Sequence, residues 1–334
     1  MQKNHTRHTE RITVITVNFR TPELVVDLIE SVASQRITIP GIDMYIVDNA
    51  SGDHSIETIK NHLKDKCHHW VTLIASPVNG GFSAGNNLAL KRVIGCATTD
   101  FVWLLNPDTR LLPEAGNELL GFIKKENSTV IAGSRLEDAD GTPQVSAFNF
   151  PGVISEMCRG FNLGLMDRLF RRFIVPKPVS EMAEPCDWLA GASILMSTET
   201  IRTVGFMDEN YFLYFEEVDY CLQAKRKRIQ CWYVPTSRVY HAVGASTKIS
   251  DSRTKRPGIP QYWFDSRRRF FLKNRGPLSL LAADLLFMIG HSTWFLRGKI
   301  QPGGQSGALK MMPPHYFRDF FRNSALVRGL TFKK

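Results

Sequence analysis

The chain has 334 residues, 43% of them hydrophobic and 22% charged, which suits one large domain with an appendage or two domains. Such a composition excludes a disordered or fibrous protein. The net charge of +10 and pI of about 9.4 admit nucleic acid, anionic lipid or phosphorylated substrates as partners without choosing among them.

The first ten residues, "MQKNHTRHTE", are polar and lack the apolar core of a secretory signal, so the chain is expected to stay in the cytoplasm. "RITVITV" at 11–17 is β-branched and predicts a strand. A helix follows, with Thr21 as a cap, Pro22 in its first position, and Leu24, Val25, Leu28, Ile29 and Val32 on one face. Strands are expected at 43–47, 71–75 and 101–105, with helices at 55–63 and 83–94, the latter capped by Ser83. Strands alternating with helices predict a mostly parallel sheet covered on both faces.

The middle of the chain is less regular. A strand, a turn at Asp140 and Gly141, and a second strand are expected over 133–148. The aromatic and basic stretch 150–179 reads as a mobile region. Strand character returns at 188–197 and 230–235, and helical character from Glu217. From about Gln261 the chain turns aromatic and basic, and a domain boundary is expected near Ile259, dividing it into 1–258 and 259–334. The six cysteines (Cys67, Cys96, Cys158, Cys186, Cys221, Cys231) contain no C-x-x-C pair. This argues against a zinc ribbon and for reduced core thiols.

In an open parallel sheet ligands bind beyond the carboxyl ends of the strands. Here those ends read "NF" (Asn18, Phe19), "DNAS" from Asp48, "SPVNGGFSAGNN" from Ser76 and "NPDT" from Asn106. Each alone also suits a turn or a cap. Together they line one cleft with amides, a glycine-rich loop and two carboxylates. The loop matches neither the dinucleotide fingerprint nor the P-loop. A carboxylate such as Asp108 can hold Mg2+ or Mn2+ where phosphate oxygens complete the shell, which suits a nucleotide diphosphate substrate. Glu216, Glu217 and Asp219 lie among Tyr211, Phe212, Tyr214 and Phe215. Apolar surroundings and like charges raise a carboxyl pKa, as a general base requires.

The set "VITVNF", "IVDNASGD", "NGGFSAGNN", "LLNPDT", "LAGASILMS", "GFMDENYFLYFEEVDYCLQAKRKR" and "VYHAVGAS", in this order over 11–247, resembles glycosyltransferase family 2, most closely its bacterial rhamnosyltransferase-like branch. The resemblance implies an α/β GT-A fold, Rossmann-like with helices on both faces, followed here by a C-terminal helical extension. It implies inverting transfer of a sugar from a nucleotide diphosphate sugar, with dTDP-L-rhamnose the leading donor and a cell-surface glycan or lipid-linked acceptor. By the same resemblance Thr16, Asn18 and Asp48 hold the nucleotide, and Gly81 and Asn86 lie in the donor loop. Asn106 and Asp108 occupy the D-x-D positions, so one motif carboxylate remains. His241 matches a metal or diphosphate contact, and Trp188, Gly191 and Ala192 match the acceptor side. Glu217 stands where the base is expected, with Asp219 a further acidic position.

Two other readings are a sugar nucleotidyltransferase, which usually begins with a basic glycine-rich loop absent from "VNFRTPE", and a non-catalytic nucleotide-sugar-binding protein. Nucleic acid is not expected, because the basic residues cluster in the C-terminal part beside apolar helices. The stretch 277–296 is about long enough to span a bilayer. Asp284 near its centre and basic residues on both flanks favour a helix lying on an anionic membrane, on the inner face, over a span, and a buried helix of the core is the other reading.

Overall fold

The computed structural model describes residues 10–96, 98–126, 129–242, 259–300 and 316–331, the side chains of 298–300 excepted. The expectations made on the N-terminal nine residues, on 243–247 and on the glycine-rich 302–307 lie outside the described residues. The first third forms β1 (Ile12–Asn18), α1 (Pro22–Gln35), β2 (Ile42–Asp48), α2 (Ser55–Asp65), β3 (Val71–Ala75), α3 (Gly81–Cys96) and β4 (Phe101–Leu105). β1 is buried along its whole length, as its unbroken β-branched sequence requires of a central parallel strand. It pairs in parallel with β2 and β4, and β2 with β3, so Asn18 lies opposite Asp48 and Asp48 opposite Ala75. The strand tips are thereby aligned in one row.

Two caps differ from expectation. The Thr21 hydroxyl donates to Asn18 Oδ1 and caps nothing on α1. α3 starts two residues early, because Asn79 Oδ1 accepts the Gly81 N–H at 3.0 Å. Ser83 is therefore a buried residue inside the helix.

After β4 come β5 (Thr109–Leu111), α4 (Ala115–Lys125), β6 (Val130–Glu137) and β7 (Ala147–Phe148). The expected hairpin is partial: Pro143 bridges Glu137 and the Gln144 N–H donates to the Leu136 carbonyl, while β7 pairs with β9 (Trp188–Leu189). The stretch read as mobile folds into α5 (Val153–Phe161) and α6 (Gly164–Leu169). β8 (Glu184–Cys186) precedes β9, which breaks before β10 (Ser193–Ser197); α7 (Thr198–Val204), α8 (Glu216–Arg226) and β11 (Gln230–His241) follow. The main sheet runs β3-β2-β1-β4-β10-β6-β11-β5, with β8 beside β11. Its β3-β2-β1-β4 half is parallel, whereas β10 is antiparallel to both neighbours. β11 does not end at Pro235. A register shift between Val234 and Arg238 absorbs the residue without an N–H, and the strand continues antiparallel to β5. His241 therefore lies opposite Thr109.

α9 (Gln261–Asn274), α10 (Pro277–Ile300), α11 (Tyr316–Asn323) and α12 (Ala325–Arg328) complete the structure. α10 crosses α5 at two glycines: a Cβ on Gly160 would lie 2.4 Å from the Phe287 carbonyl, and one on Gly290 2.5 Å from the Phe161 nitrogen. Asp284 is fully buried, yet it accepts from Arg267 Nη1 and from the Ala325 N–H, both at 2.7 Å. Arg267 also donates to Glu156 at 2.9 Å. The charge that interrupts the apolar run is thus neutralised inside the protein. A different side of α10 keeps Leu278, Leu285, Ile289 and Leu296 exposed. Of the cysteines, Cys67 and Cys96 are exposed and Cys186 half-buried, so the core-thiol reading holds for Cys158, Cys221 and Cys231.

Candidate active site

A cleft of about 370 Å³ opens at the carboxyl ends of β1 to β4. Phe19 and Arg20 follow β1 into it, Asn79 and Gly81 follow β3, and Asn106 and Pro107 follow β4. Phe212, Leu213 and Tyr262 reach the same cleft from far along the chain. Of the residues expected to hold the nucleotide, Gly81 and Asn106 line it, as does Asn49 beside Asp48.

Thr16, Asn18 and Asp48 do not line it and are buried behind the strand tips. Thr16 is fully buried within β1. Asp48 Oδ1 accepts from Asn18 Nδ2 at 2.7 Å and from the Ser51 hydroxyl at 2.6 Å, and Oδ2 from the Ser51 N–H at 3.1 Å. Asn18 Oδ1 accepts from the Thr21 N–H. This network locks the β1 and β2 tips together and sets the path of Phe19 and Arg20. Asn86 is buried too, donating to the Phe82 carbonyl.

Gly81 has a reason to be glycine. Its φ is +83°, and a Cβ would lie 2.1 Å from the Phe212 carbonyl. That carbonyl accepts the Phe82 N–H at 2.8 Å. The glycine-rich loop is therefore stitched to the loop that precedes α8. Tyr214 and Phe215 in that loop hold φ of +69° and +67°, a strained left-handed pair just ahead of the acidic residues.

On one side of the cleft "NPDT" turns tightly, with Thr109 N–H and hydroxyl both donating to the Asn106 carbonyl. Asp108 is buried, and its Oδ1 lies 3.6 Å from His241 Nε2. The histidine tautomer follows from its neighbour. Gln144 Nε2 donates to Asp138 Oδ1 at 2.7 Å and to the His241 carbonyl at 2.8 Å, which leaves Gln144 Oε1 to face His241 Nδ1 at 3.0 Å. The ring proton is thus on Nδ1, and Nε2 turns a lone pair toward Asp108. Burial lowers the His241 pKa, against the pull of Asp108, and favours this neutral ring. A carboxylate and a neutral imidazole converging in this way fit a divalent cation that takes its remaining ligands from elsewhere.

Glu217 stands beyond Gly191, next to the cleft residue Phe82. Burial raises its pKa to about 7, while the Glu217 and Val218 N–H groups pull the other way. Glu216 beside it is raised by burial and then by the Glu217 charge. Between Glu217 and the cleft lies bare backbone: a Cβ on Gly191 would sit 3.8 Å from Glu217 Cβ and 3.9 Å from the Phe82 ring. Ala192 is buried, and its carbonyl accepts the Asn106 N–H. Residues 190–192 thus run between the β4 tip and the α8 start. Trp188 stacks on Phe148 with centroids 4.0 Å apart and donates to the Asn149 carbonyl.

Asp219 does not share this environment. It is buried, and its oxygens accept from Lys273 Nζ and Asn274 Nδ2, both at 2.7 Å, and from Gln223. The residue read as a second catalytic acid anchors α9 to α8. Lys273 and Arg269 also clasp Asp208, whose pKa is lowered because their hydrogen bonds outweigh its burial. Phe19 belongs to the "NF" strand end that the sequence points to, and Arg20 follows it directly. Phe82 and Tyr262 carry no role in the sequence reading. Tyr262 is brought in only by the docking of α9.

Residues 13–171 match the family model described as Glycosyl transferase family 2. Three curated relatives align over much of the chain. The low-salt glycan biosynthesis hexosyltransferase Agl10 of Haloferax volcanii is 24% identical over 79% of this chain and 75% of its own length. Rhamnosyltransferase WbbL of Escherichia coli is 28% identical over 68% and 88%. The N-acetylglucosaminyl-diphospho-decaprenol L-rhamnosyltransferase of Mycobacterium tuberculosis is 24% identical over 62% and 68%. Among solved structures, the mannosyltransferase PcManGT of Pyrobaculum calidifontis in complex with GDP-Man and Mn2+ superposes with a TM-score of 0.57 at 13% identity, over 98% of this chain and 89% of that one. GalNAc-T7 with UDP, GalNAc and Mn2+ superposes with the same score and identity; the chain spans 58% of its length. The fold is GT-A.

Proposed function

We propose that this chain, a family 2 glycosyltransferase of the rhamnosyltransferase-like branch, transfers L-rhamnose from dTDP-L-rhamnose to a hydroxyl of a lipid-linked or cell-surface glycan acceptor, inverting the anomeric carbon. The observation that carries the reading is where the groups sit: Asp108 pairs with His241 directly after Asn106 and Pro107 of the cleft wall, and Glu217 lies beyond Gly191, whose Cβ position is 3.9 Å from the cleft residue Phe82. In the mechanism, Glu217 takes the proton of the acceptor hydroxyl, and its elevated pKa suits that transfer near neutral pH. The hydroxyl oxygen bonds to the anomeric carbon as the bond from that carbon to the diphosphate oxygen breaks, and the electron pair leaves with the nucleoside diphosphate. Asp108 and His241 would hold Mn2+ or Mg2+, which when bound offsets charge on the diphosphate. Phe19 and Arg20, with Arg20 Nε anchored on the Ser51 carbonyl at 2.8 Å, would embrace the base. Gly191 leaves the approach to Glu217 open, and Trp188 lies on the acceptor side.

These groups fall within 1–258, and 259–334 would serve as the membrane-facing part. Support for a peripheral position on the inner face comes from α10, which buries Asp284 on one side and exposes Leu278, Leu285, Ile289 and Leu296 along another. Such a seat would bring the cleft to a lipid-linked acceptor of the kind named for the mycobacterial relative. A screen of nucleotide-sugars, read by nucleoside diphosphate release, tests the proposal. Preference for a donor other than dTDP-L-rhamnose refutes the sugar, and no release from any donor refutes the activity.

A further inference from the structure

A second group of metal-ligating side chains lies at the amino end of β3, the end of the sheet away from the cleft. Glu30 projects from α1, His62 from the last turn of α2, and His68 from the turn that leads into β3. Their ligand atoms lie within 4.8 Å of one another. Glu30 Oε1 is 2.7 Å from His62 Nε2 and 3.1 Å from His68 Nε2. The three come from separate elements, and the turn that presents His68 is set by Cys67 in the left-handed region at φ +54°. Both imidazoles are largely buried, with 17% and 13% of their side chains exposed, while Glu30 is 47% exposed. The arrangement is anchored inside and open outward.

Two imidazole nitrogens and one carboxylate oxygen are the donors preferred by a borderline ion such as Zn2+, not by Mg2+ or Ca2+. Zinc bonds of about 2.0–2.1 Å place neighbouring donors roughly 3.3 Å apart in a tetrahedron. The observed 2.7 and 3.1 Å would open by about 0.6 and about 0.2 Å to reach this spacing, and the two imidazole nitrogens, no more than 4.8 Å apart, would close toward it. One local contact opposes this. Trp70 Nε1 donates to His68 Nδ1 at 3.2 Å, which puts the His68 ring proton on Nε2, shared with Glu30. Ligation through Nε2 moves that proton off, places the remaining N–H on Nδ1, and releases the half-buried indole N–H to water. The Arg36 guanidinium, 4.8 Å from the Trp70 ring centroid, adds nearby positive charge, partly answered by Asp43 at 3.9 Å.

We propose that Glu30, His62 and His68 form a binding site for a Zn2+-class divalent ion, with a fourth position open to water, clamping α1 to the turn between α2 and β3. The site is separate from Asp108 and His241 and owes nothing to sugar transfer.

The test uses the untagged full chain, stripped with chelator and titrated with Zn2+ by calorimetry and tryptophan emission. Expected are a binding step of low-micromolar affinity or tighter and an emission change on saturation. Trp70→Phe should abolish most of that change while keeping the binding step. Glu30→Gln, at an exposed position that folding tolerates, and His62→Ala should each weaken the step at least tenfold. Mg2+ should not compete at a hundredfold excess. Affinity and stoichiometry unchanged in both variants would overturn the site, as would effective competition by Mg2+ or the absence of any step tighter than about 100 µM in the parent.

Discussion

Glu217→Gln separates catalysis from stability at one position. Burial holds the Glu217 carboxyl at about 7, against 4.5 for a free glutamate. Folding therefore favours its protonated form. The resulting stabilisation is fully present below the unfolded value and is lost as pH rises through the folded one. At pH 8 the whole gap acts against the native state, about 3 kcal/mol at 1.36 kcal/mol per pH unit. That figure is a ceiling, because Glu216 alongside shares the proton. Glutamine keeps the shape without the charge, so the variant should melt about 4 °C higher at pH 8, given roughly 2 cal/mol/K of unfolding entropy per residue. At pH 5 the two proteins should melt within about 1 °C of each other. Turnover should fall about 10²–10⁴-fold with donor binding retained. Parent activity should itself rise with pH through about 7 as the base form appears. Scanning calorimetry at the two pH values, with nucleoside diphosphate release in parallel, reads both effects. Unchanged turnover together with an unchanged melt at pH 8 would refute the assignment of Glu217 as a buried base.

Asp108→Asn should abolish metal-dependent donor binding, measured by calorimetry with and without Mn2+, and equal donor affinity in variant and parent would remove Asp108 from the metal site. Tyr262→Ala, which takes one wall from the cleft, should raise the donor KM at least fivefold with a smaller change in kcat. A KM equal to the parent's would mean that α9 contributes packing alone. Membrane fractions should release the protein on washing with high salt or carbonate. Retention until detergent is added would mean that α10 spans the bilayer, and failure to sediment would remove the support for a lipid-linked acceptor.

The parallel half of the fold was legible because each of its strands is a short apolar run ended by a polar turn, and a buried parallel strand permits little else. The row of tips, and with it the cleft, followed from that pattern. Long-range partners were not legible. Nothing within "YHAVG" reveals that Gln144 fixes the His241 tautomer 97 residues away. Asp219 and Glu217 share one helix turn and one composition. They differ only because Lys273 and Asn274 arrive on α9 to claim the former. Asp284 interrupts an apolar run, and nothing within that run points to Arg267, which donates to it from α9. The stretch 150–179 reads as mobile because it is rich in aromatics and arginines and ends in prolines, whereas the partner that ties it into the fold is remote. Glu156 finds Arg267 across 111 residues and is held ionised despite its burial by Arg159 and Arg267.

The central claim is inverting transfer by direct displacement within this cleft. Its most direct measurement is the anomeric configuration of the sugar in the product, read by NMR after the purified chain acts on dTDP-L-rhamnose and a lipid-linked acceptor with Mn2+. The account predicts stoichiometric release of dTDP and a product whose anomeric configuration is opposite to that of the donor. A product of retained configuration, or dTDP release with no glycosylated acceptor and no loss in Glu217→Gln, would contradict it.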